Sequence, residues 1–178
     1  MRVVGGIYKG RTLLEFKGKD IRPTSDMARE SLFNVLQFKI QDRTFLDLFC
    51  GTGAVGIEAL SRGAKHVTFN DLSRESVNLT KNNLEKIGNP KNVQVVNRDG
   101  VEFYLSTDQK FDYVFMDPPY DSGLGEQALK NVCSLLSEDG VVIFESQTPY
   151  SGQANGLIVF DQRRYGRAYL TFFKKENK

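Results

Sequence analysis

The stretch Thr44–Gly56, TFLDLFCGTGAVG, decides how the chain is read. Phe45, Leu46, Leu48 and Phe49 make a short apolar strand; Gly51 and Gly53 follow as a tight turn, and a helix begins beyond them. Glycine lacks a Cβ and tolerates positive φ, so a turn of this kind lets backbone come close to a ligand. In a parallel α/β sheet it lies at the carboxyl end of a strand, where ligands bind.

Outward from this stretch, strand and helix patterns alternate. Strand 44–49 leads to helix 53–62, which Gly63 ends. Strand 66–70 leads to helix 73–87, ended by Gly88 and Pro90; strand 92–97 leads to a short helix near 100–106. Strand 111–116 leads to helix 123–136, and strand 140–145 follows. Repeated βα units with right-handed crossovers predict a doubly wound, mostly parallel sheet. The last two strands, near 156–161 and 167–174, are joined too briefly for a crossover and form an antiparallel hairpin. Upstream, residues 2–16 read as a β-hairpin, and Ala28, Leu32, Val35 and Leu36 recur at helical spacing, predicting a helix over 26–38. The fold class is therefore α/β, with a seven-stranded sheet, in one domain over 1–178. Residues 1–43 form an N-terminal extension and 44–178 the core.

Composition narrows the class. Two cysteines, Cys50 and Cys133, stand far apart and predict neither a disulfide framework nor a metal site, which fits a reducing, cytoplasmic setting. No stretch has the apolar length of a membrane span or a signal peptide. Charge is segregated. Residues 1–43 carry nine Lys/Arg against five Asp/Glu, residues 44–160 nine against fifteen, and residues 161–178 six against two. Basic ends suit a polyanion such as nucleic acid, although solvated surface charge gives the same pattern. Lys9 and Arg11, interleaved with Tyr8 and Phe16, and the late Arg163, Arg164 and Arg167 are the candidates for RNA phosphates and base stacking.

The glycine turn fits two ligands. Gly51-Thr52-Gly53-Ala54-Val55-Gly56 matches G-x-G-x-x-G, and Asp71 ends the next strand, where a dinucleotide fold places its ribose-binding acid. A nicotinamide-dependent oxidoreductase is one reading. Asp47 opposes it, because a carboxylate just before the turn repels a pyrophosphate and favours a cationic ligand. Asp117-Pro118-Pro119-Tyr120 opposes it too. Paired prolines make a rigid frame of carbonyls, with a carboxylate and an aromatic ring at its ends. Such a frame accepts hydrogen bonds from an amino group and stacks on a planar base.

The acid–glycine turn, Asp71, Asp99 and the DPPY tetrad together resemble a class I S-adenosylmethionine-dependent methyltransferase of the amino-group type. RVVGGIYKGR, RPTSDMARESLFN, DLFCGTGAVGIEALSRGA and RRYGRAYLTFF resemble, more narrowly, the bacterial 16S rRNA (guanine-N2)-methyltransferase family, often called RsmD. The resemblance implies a Rossmann-like fold and S-adenosylmethionine as cofactor. It places Asp47, Phe49, Gly51 and Gly53 at the methionine end, Asp71 on the ribose hydroxyls, and Asp99 with Gly100 at the adenine. It implies that Asp117 and the Pro118 carbonyl grip the guanine amine within the frame completed by Pro119, and that Tyr120 stacks on the base. Arg22, Thr24 and Asn34 are polar groups that could reach the cofactor. The implied partner is 16S rRNA, within the small ribosomal subunit or an assembly intermediate, acted on by a monomer. DPPY alone leaves DNA adenine or protein glutamine as other amino-group substrates.

Overall fold

Alternation along the first strand divides the core in two. In the computed structural model, which describes residues 1–17, 26–36, 39–120 and 122–176, β1 spans Thr44–Asp47. Successive side chains of a strand point to opposite faces. Phe45 clusters with Phe69, Phe115, Ile143 and Phe172. Covering this face are Leu32 and Phe33 of α1 (Asp26–Val35), Ile57 and Leu60 of α2 (Ala54–Ser61), and Leu84 of α3 (Arg74–Lys86). Leu46 clusters instead with Val114, Val142 and Phe173, under Ala128 and Leu129 of α4 (Leu124–Leu129). Burying each large apolar side chain contributes on the order of 1.5–3 kcal/mol.

The other strands are β2 (His66–Asn70), β3 (Val93–Val96), β4 (Phe111–Met116), β5 (Leu136–Ser146), β6 (Leu157–Tyr165) and β7 (Ala168–Lys175). They form one seven-stranded sheet in the order β3-β2-β1-β4-β5-β7-β6. The first five run parallel, β7 is antiparallel to β5, and β6 is antiparallel to β7. Strand order reverses between β1 and β4, and a cleft opens outside their carboxyl ends. The register carries that edge across to the last hairpin. Met116 pairs with Phe144, Phe144 with Thr171 and Thr171 with Gln162, so the tip at Tyr165–Ala168 stands on the same side as the residues after Met116.

Two regions differ from the expected pattern. The helix expected over 123–136 stops at Leu129, a 3₁₀ turn covers Val132–Leu135, and β5 begins at Leu136. Leu136 already pairs with Phe111, and a register shift before Tyr113 absorbs the extra residues, so Leu136–Gly140 is drawn into the sheet. At the N-terminus the chain doubles back, but its ladder is a single bridge between Arg2 and Thr12. Val3 donates across to the Arg11 carbonyl, Gly10 to Val3 and Leu13 to Met1, while four other amides are committed to α2. Val4 and Gly5 donate to the Glu58 carboxylate at 2.8 Å, Ile7 to the Ser61 carbonyl at 2.8 Å and Tyr8 to Ser61 Oγ at 2.9 Å. Glu58 also meets Arg62 at 2.8 Å and Arg29 at 3.6 Å, and neither Glu58 nor Arg29 touches solvent. Every residue of α2 is buried between the sheet and this N-terminal segment.

Candidate active site

The carboxyl ends of β1, β2, β3 and β4 enclose a cavity of about 750 Å³. The glycine turn forms its floor. Gly51 and Gly53 take φ of 54° and 77°, and the Gly53 amide donates to the Cys50 carbonyl at 2.7 Å. A Cβ on Gly53 would lie 2.8 Å from Thr80 Cγ2, so both backbone hand and space require glycine there. Gly100 meets a similar limit, since a Cβ would lie 2.5 Å from the Phe49 ring.

Asparagines fix the strand ends. Asn70, fully buried, donates to the Leu48 and Arg98 carbonyls at 3.0 and 3.1 Å and accepts from the Arg98 amide at 3.2 Å. Asn97 donates to the Asp71 and Leu72 carbonyls, both at 2.8 Å. Asp71 in turn accepts from the Gly51 amide on one carboxylate oxygen and from the Ser73 amide on the other, each at 2.9 Å. Asp99 accepts from the Val101 amide at 2.7 Å, which closes the bend after β3 while leaving the side chain on the cavity wall.

The wall is acidic. Asp47, Asp71, Glu75, Asp99 and Asp117 line it, and no lysine or arginine is among the described lining residues. Asp47 is buried, and its Oδ2 accepts from the Gly56 amide at 3.0 Å. Burial pushes its carboxyl up to about 7, against the pull of the Gly56 amide and with added like charge from Asp117 and Asp71. Cys50, next in the turn, is also buried. Burial, with Asp47 beside it, raises its thiol well above the ordinary value, and the sulfur sits 3.4 Å from Thr80 Oγ1. Opposite the glycine turn, Asp117, Pro118, Pro119 and Tyr120 follow β4 and line the cavity together with Phe115 and Leu124. The tetrad is braced from behind. Gly125 of α4 packs so closely on Pro118 that a Cβ would fall 2.8 Å from the ring, and Ser122 Oγ donates to the Pro119 carbonyl at 2.6 Å.

The cavity thus brings together Asp47, Phe49, Gly51, Asp71, Asp99, Gly100, Asp117, Pro118, Pro119 and Tyr120. Gly53 lies beneath it as the residue before α2 and is not on the wall. Arg22 and Thr24 lie outside the described residues, and Asn34 is exposed on α1, away from the described wall. The basic candidates divide. Arg163, Arg164 and Arg167 stand at the β6–β7 tip on the cavity's edge of the sheet, with Arg163 held by Asp161 at 2.7 Å and Arg164 over the Tyr169 ring. Lys9 and Arg11 sit instead at the C-terminal ends of α2 and α3, where Arg11 donates to the Lys86 carbonyl at 3.3 Å. Phe16, grouped with them by sequence, is in the cavity wall. Glu75, Ser76 and Phe16 are lining residues that sequence reasoning missed. For Glu75 the available signal was its place in the first turn after the acid-bearing strand.

The family model described as "Conserved hypothetical protein 95" matches residues 1–174. The chain is 38% identical over 152 residues to the Haemophilus influenzae protein named "Ribosomal RNA small subunit methyltransferase D", covering 83% of this chain and 79% of that one. It is 33% identical over 186 residues to YlbH of Bacillus subtilis, covering 98% and 99% of the two chains. The solved structure of yhhF from Escherichia coli superposes with a TM-score of 0.84 at 28% identity, over 99% of this chain and 98% of that one.

Proposed function

The chain belongs to the family described as conserved hypothetical protein 95, the RsmD family that its motifs resemble, and on that premise we propose that it methylates the exocyclic N2 amino group of a guanine in 16S rRNA, using S-adenosylmethionine. The substrate is the small ribosomal subunit or an assembly intermediate, and the enzyme acts as a cytoplasmic monomer. One observation carries the reading. Five carboxylates line the cavity, with no cation among its described residues, beside a rigid tetrad of acceptors and an aromatic ring. A pyrophosphate would meet repulsion from every side, whereas a ligand with ammonium and sulfonium charge is attracted. The cavity volume of about 750 Å³ suits a cofactor together with a flipped base.

Asp47 and the Phe49–Gly51 backbone would hold the methionine end, Asp71 the ribose and Asp99 the adenine. When bound, the cofactor supplies an electrophilic methyl group. The residues of this chain do the rest. Asp117 and the Pro118 carbonyl accept the two N–H bonds of the amine, which turns its lone pair toward the cofactor side of the cavity. The amine is a weak nucleophile because its lone pair is delocalised into the ring, so fixing its direction supplies much of the rate. In this reading Asp117 also receives the proton that the nitrogen sheds. Tyr120, 37% exposed at the cavity mouth, offers a face on which an unstacked base can lie.

The test is transfer of a labelled methyl group to small subunits from a strain lacking this protein, followed by nucleoside mapping. Label in N2-methylguanosine is expected. Label in another nucleoside, or calorimetric binding of NAD but not of S-adenosylhomocysteine, overturns the reading.

A further inference from the structure

Phe16 precedes the first described helix, far in sequence from the glycine turn, yet it is part of that turn's surroundings. Its Cε2 lies 3.8 Å from where a Cβ on Gly51 would be. Gly51 is the residue whose amide holds Asp71, so Phe16, Gly51 and Asp71 form one continuous stretch of cavity wall. The ring is half-buried, while its neighbours Glu15 and Lys17 are exposed and do not line the cavity.

What places the ring is two residues away. The Leu14 amide donates to Asn83 Oδ1 at 2.7 Å, and Asn83 Nδ2 donates back to the Leu14 carbonyl at 3.1 Å. The same nitrogen donates to the Thr52 carbonyl at 2.9 Å. Asn83 is fully buried on α3, and both of its N–H bonds and its oxygen are used. One side chain thus ties the N-terminal segment to the cofactor turn. Two residues of chain span at most ~7 Å, so anchoring Leu14 confines Phe16 to the region over Gly51.

We infer that Phe16 is a ligand-contacting wall of the cofactor site, and that Asn83 is the positioning residue that holds it there. The N-terminal segment therefore completes the binding site in addition to capping the fold. The inference rests on reading the cavity as the seat of a nucleoside–amino-acid cofactor. An aromatic ring over Gly51 shields the ligand from water on the side where backbone is barest, and it strengthens the hydrogen bonds to Asp71 beneath it.

Calorimetric titration with S-adenosylhomocysteine tests this on the full chain. Phe16→Ala is expected to weaken binding about tenfold, with the unliganded unfolding midpoint little changed. Asn83→Asp, which keeps the acceptor and loses both donors, is expected to weaken binding by a similar factor. In methyl transfer it raises KM for the cofactor and leaves kcat nearly intact. Asn83 holds Phe16 through Leu14 and also bonds the Thr52 carbonyl of the cavity wall, so the double variant is expected to lose less affinity than the sum of the two single losses. Unchanged affinity in Phe16→Ala overturns the inference, and additive losses overturn the role of Asn83. If the unmodified chain binds no S-adenosylhomocysteine, the cofactor reading falls and this inference with it. Should Asn83→Asp fail to fold, hydrogen exchange at the Leu14 amide of the unmodified chain decides. Ligand-induced protection supports the coupling and unaltered exchange refutes it.

Discussion

The Gly51 amide donates to Asp71 Oδ2 at 2.9 Å, so the glycine turn after β1 and the acid after β2 are held as one unit. Asp71 therefore has two tasks, shaping the turn and offering its remaining lone pairs to the cavity. Asp71→Ala removes both. Hydrogen bonds to charged groups are worth about 1.5–3 kcal/mol each, so affinity for S-adenosylhomocysteine should fall by roughly tenfold to a hundredfold. Asp71→Asn keeps one acceptor for Gly51 and should retain more of the fold's stability than of the affinity. Calorimetry and thermal unfolding on the same samples separate the two losses.

Asp117 stands on the far side of the cavity from Asp71, after β4, and does not shape the glycine turn. Asp117→Ala should leave S-adenosylhomocysteine binding within a few-fold while lowering kcat by roughly 10²–10⁴, the range for a lost acid–base or orienting group. Single-turnover transfer to small subunits measures the second effect. A parallel collapse in cofactor affinity would show that the residue serves the wrong ligand.

Asp47 sets a pH dependence of definite sign. Its carboxyl titrates near 7 in the fold and near 3.8 when unfolded. Between those values the folded state holds a proton that the unfolded state has released. Stability is therefore greatest below the unfolded value, falls as pH rises toward 7, and levels off above it. The total effect is on the order of a few kcal/mol. Asp47→Asn should flatten this part of the profile and raise the unfolding midpoint at pH 8. A cationic cofactor favours the ionised form, so in the unmodified chain its affinity should strengthen from pH 6 to pH 8.

Much of this arrangement is legible in the sequence, and the parts that are not share a physical cause. His66–Asn70 and Phe111–Met116 emerge with their expected bounds because apolar runs flanked by polar residues have one way to be buried on both faces. Asp47, Asp71 and Asp117 are found by their place at strand ends. Asn70, Asn83 and Glu58 are invisible in the pattern. Each satisfies backbone groups of segments distant in sequence, at Leu48 and Arg98, at Leu14 and Thr52, and at Val4 and Gly5. Periodicity reports which face a residue occupies and carries no information about such long-range partners. The same blindness assigned Phe16 to a nucleic-acid surface and carried the helix after β4 on through Leu136.

Glu58 carries the largest expected stability effect. It is buried on α2 with Arg29 at 3.6 Å and Arg62 at 2.8 Å, and it accepts the Val4 and Gly5 amides. Removing one partner of a buried ion pair costs about 3–5 kcal/mol, because the other charge stays buried. Glu58→Ala should lose that much in urea unfolding. Glu58→Gln should lose less, since it keeps one oxygen for the N-terminal amides. By releasing the segment that carries Phe16, both should also weaken cofactor binding.

The divided basic residues predict a divided response to RNA. Asp117 follows Met116 on β4, and Arg163 lies at the same level three strands across, on β6, or roughly 14 Å away at ~4.8 Å per strand. Arg167 is at the tip beyond it, exposed and on the cavity's edge of the sheet, whereas Arg163 is already paired with Asp161. Lys9 and Arg11 project from the opposite ends of α2 and α3. Arg164→Glu with Arg167→Glu should therefore raise KM for the RNA substrate at least about tenfold. The same pair should reduce the steepness of its salt dependence, because every phosphate left without its cation takes close to one unit from the slope. Arg163→Glu alone should do less, since its charge is largely answered by Asp161. Lys9→Glu with Arg11→Glu should change KM only a few-fold, with kcat unaltered. Transfer kinetics at two salt concentrations measure all three. A larger effect from the Lys9 and Arg11 pair would move the RNA path to the helix ends and away from the arginine tip.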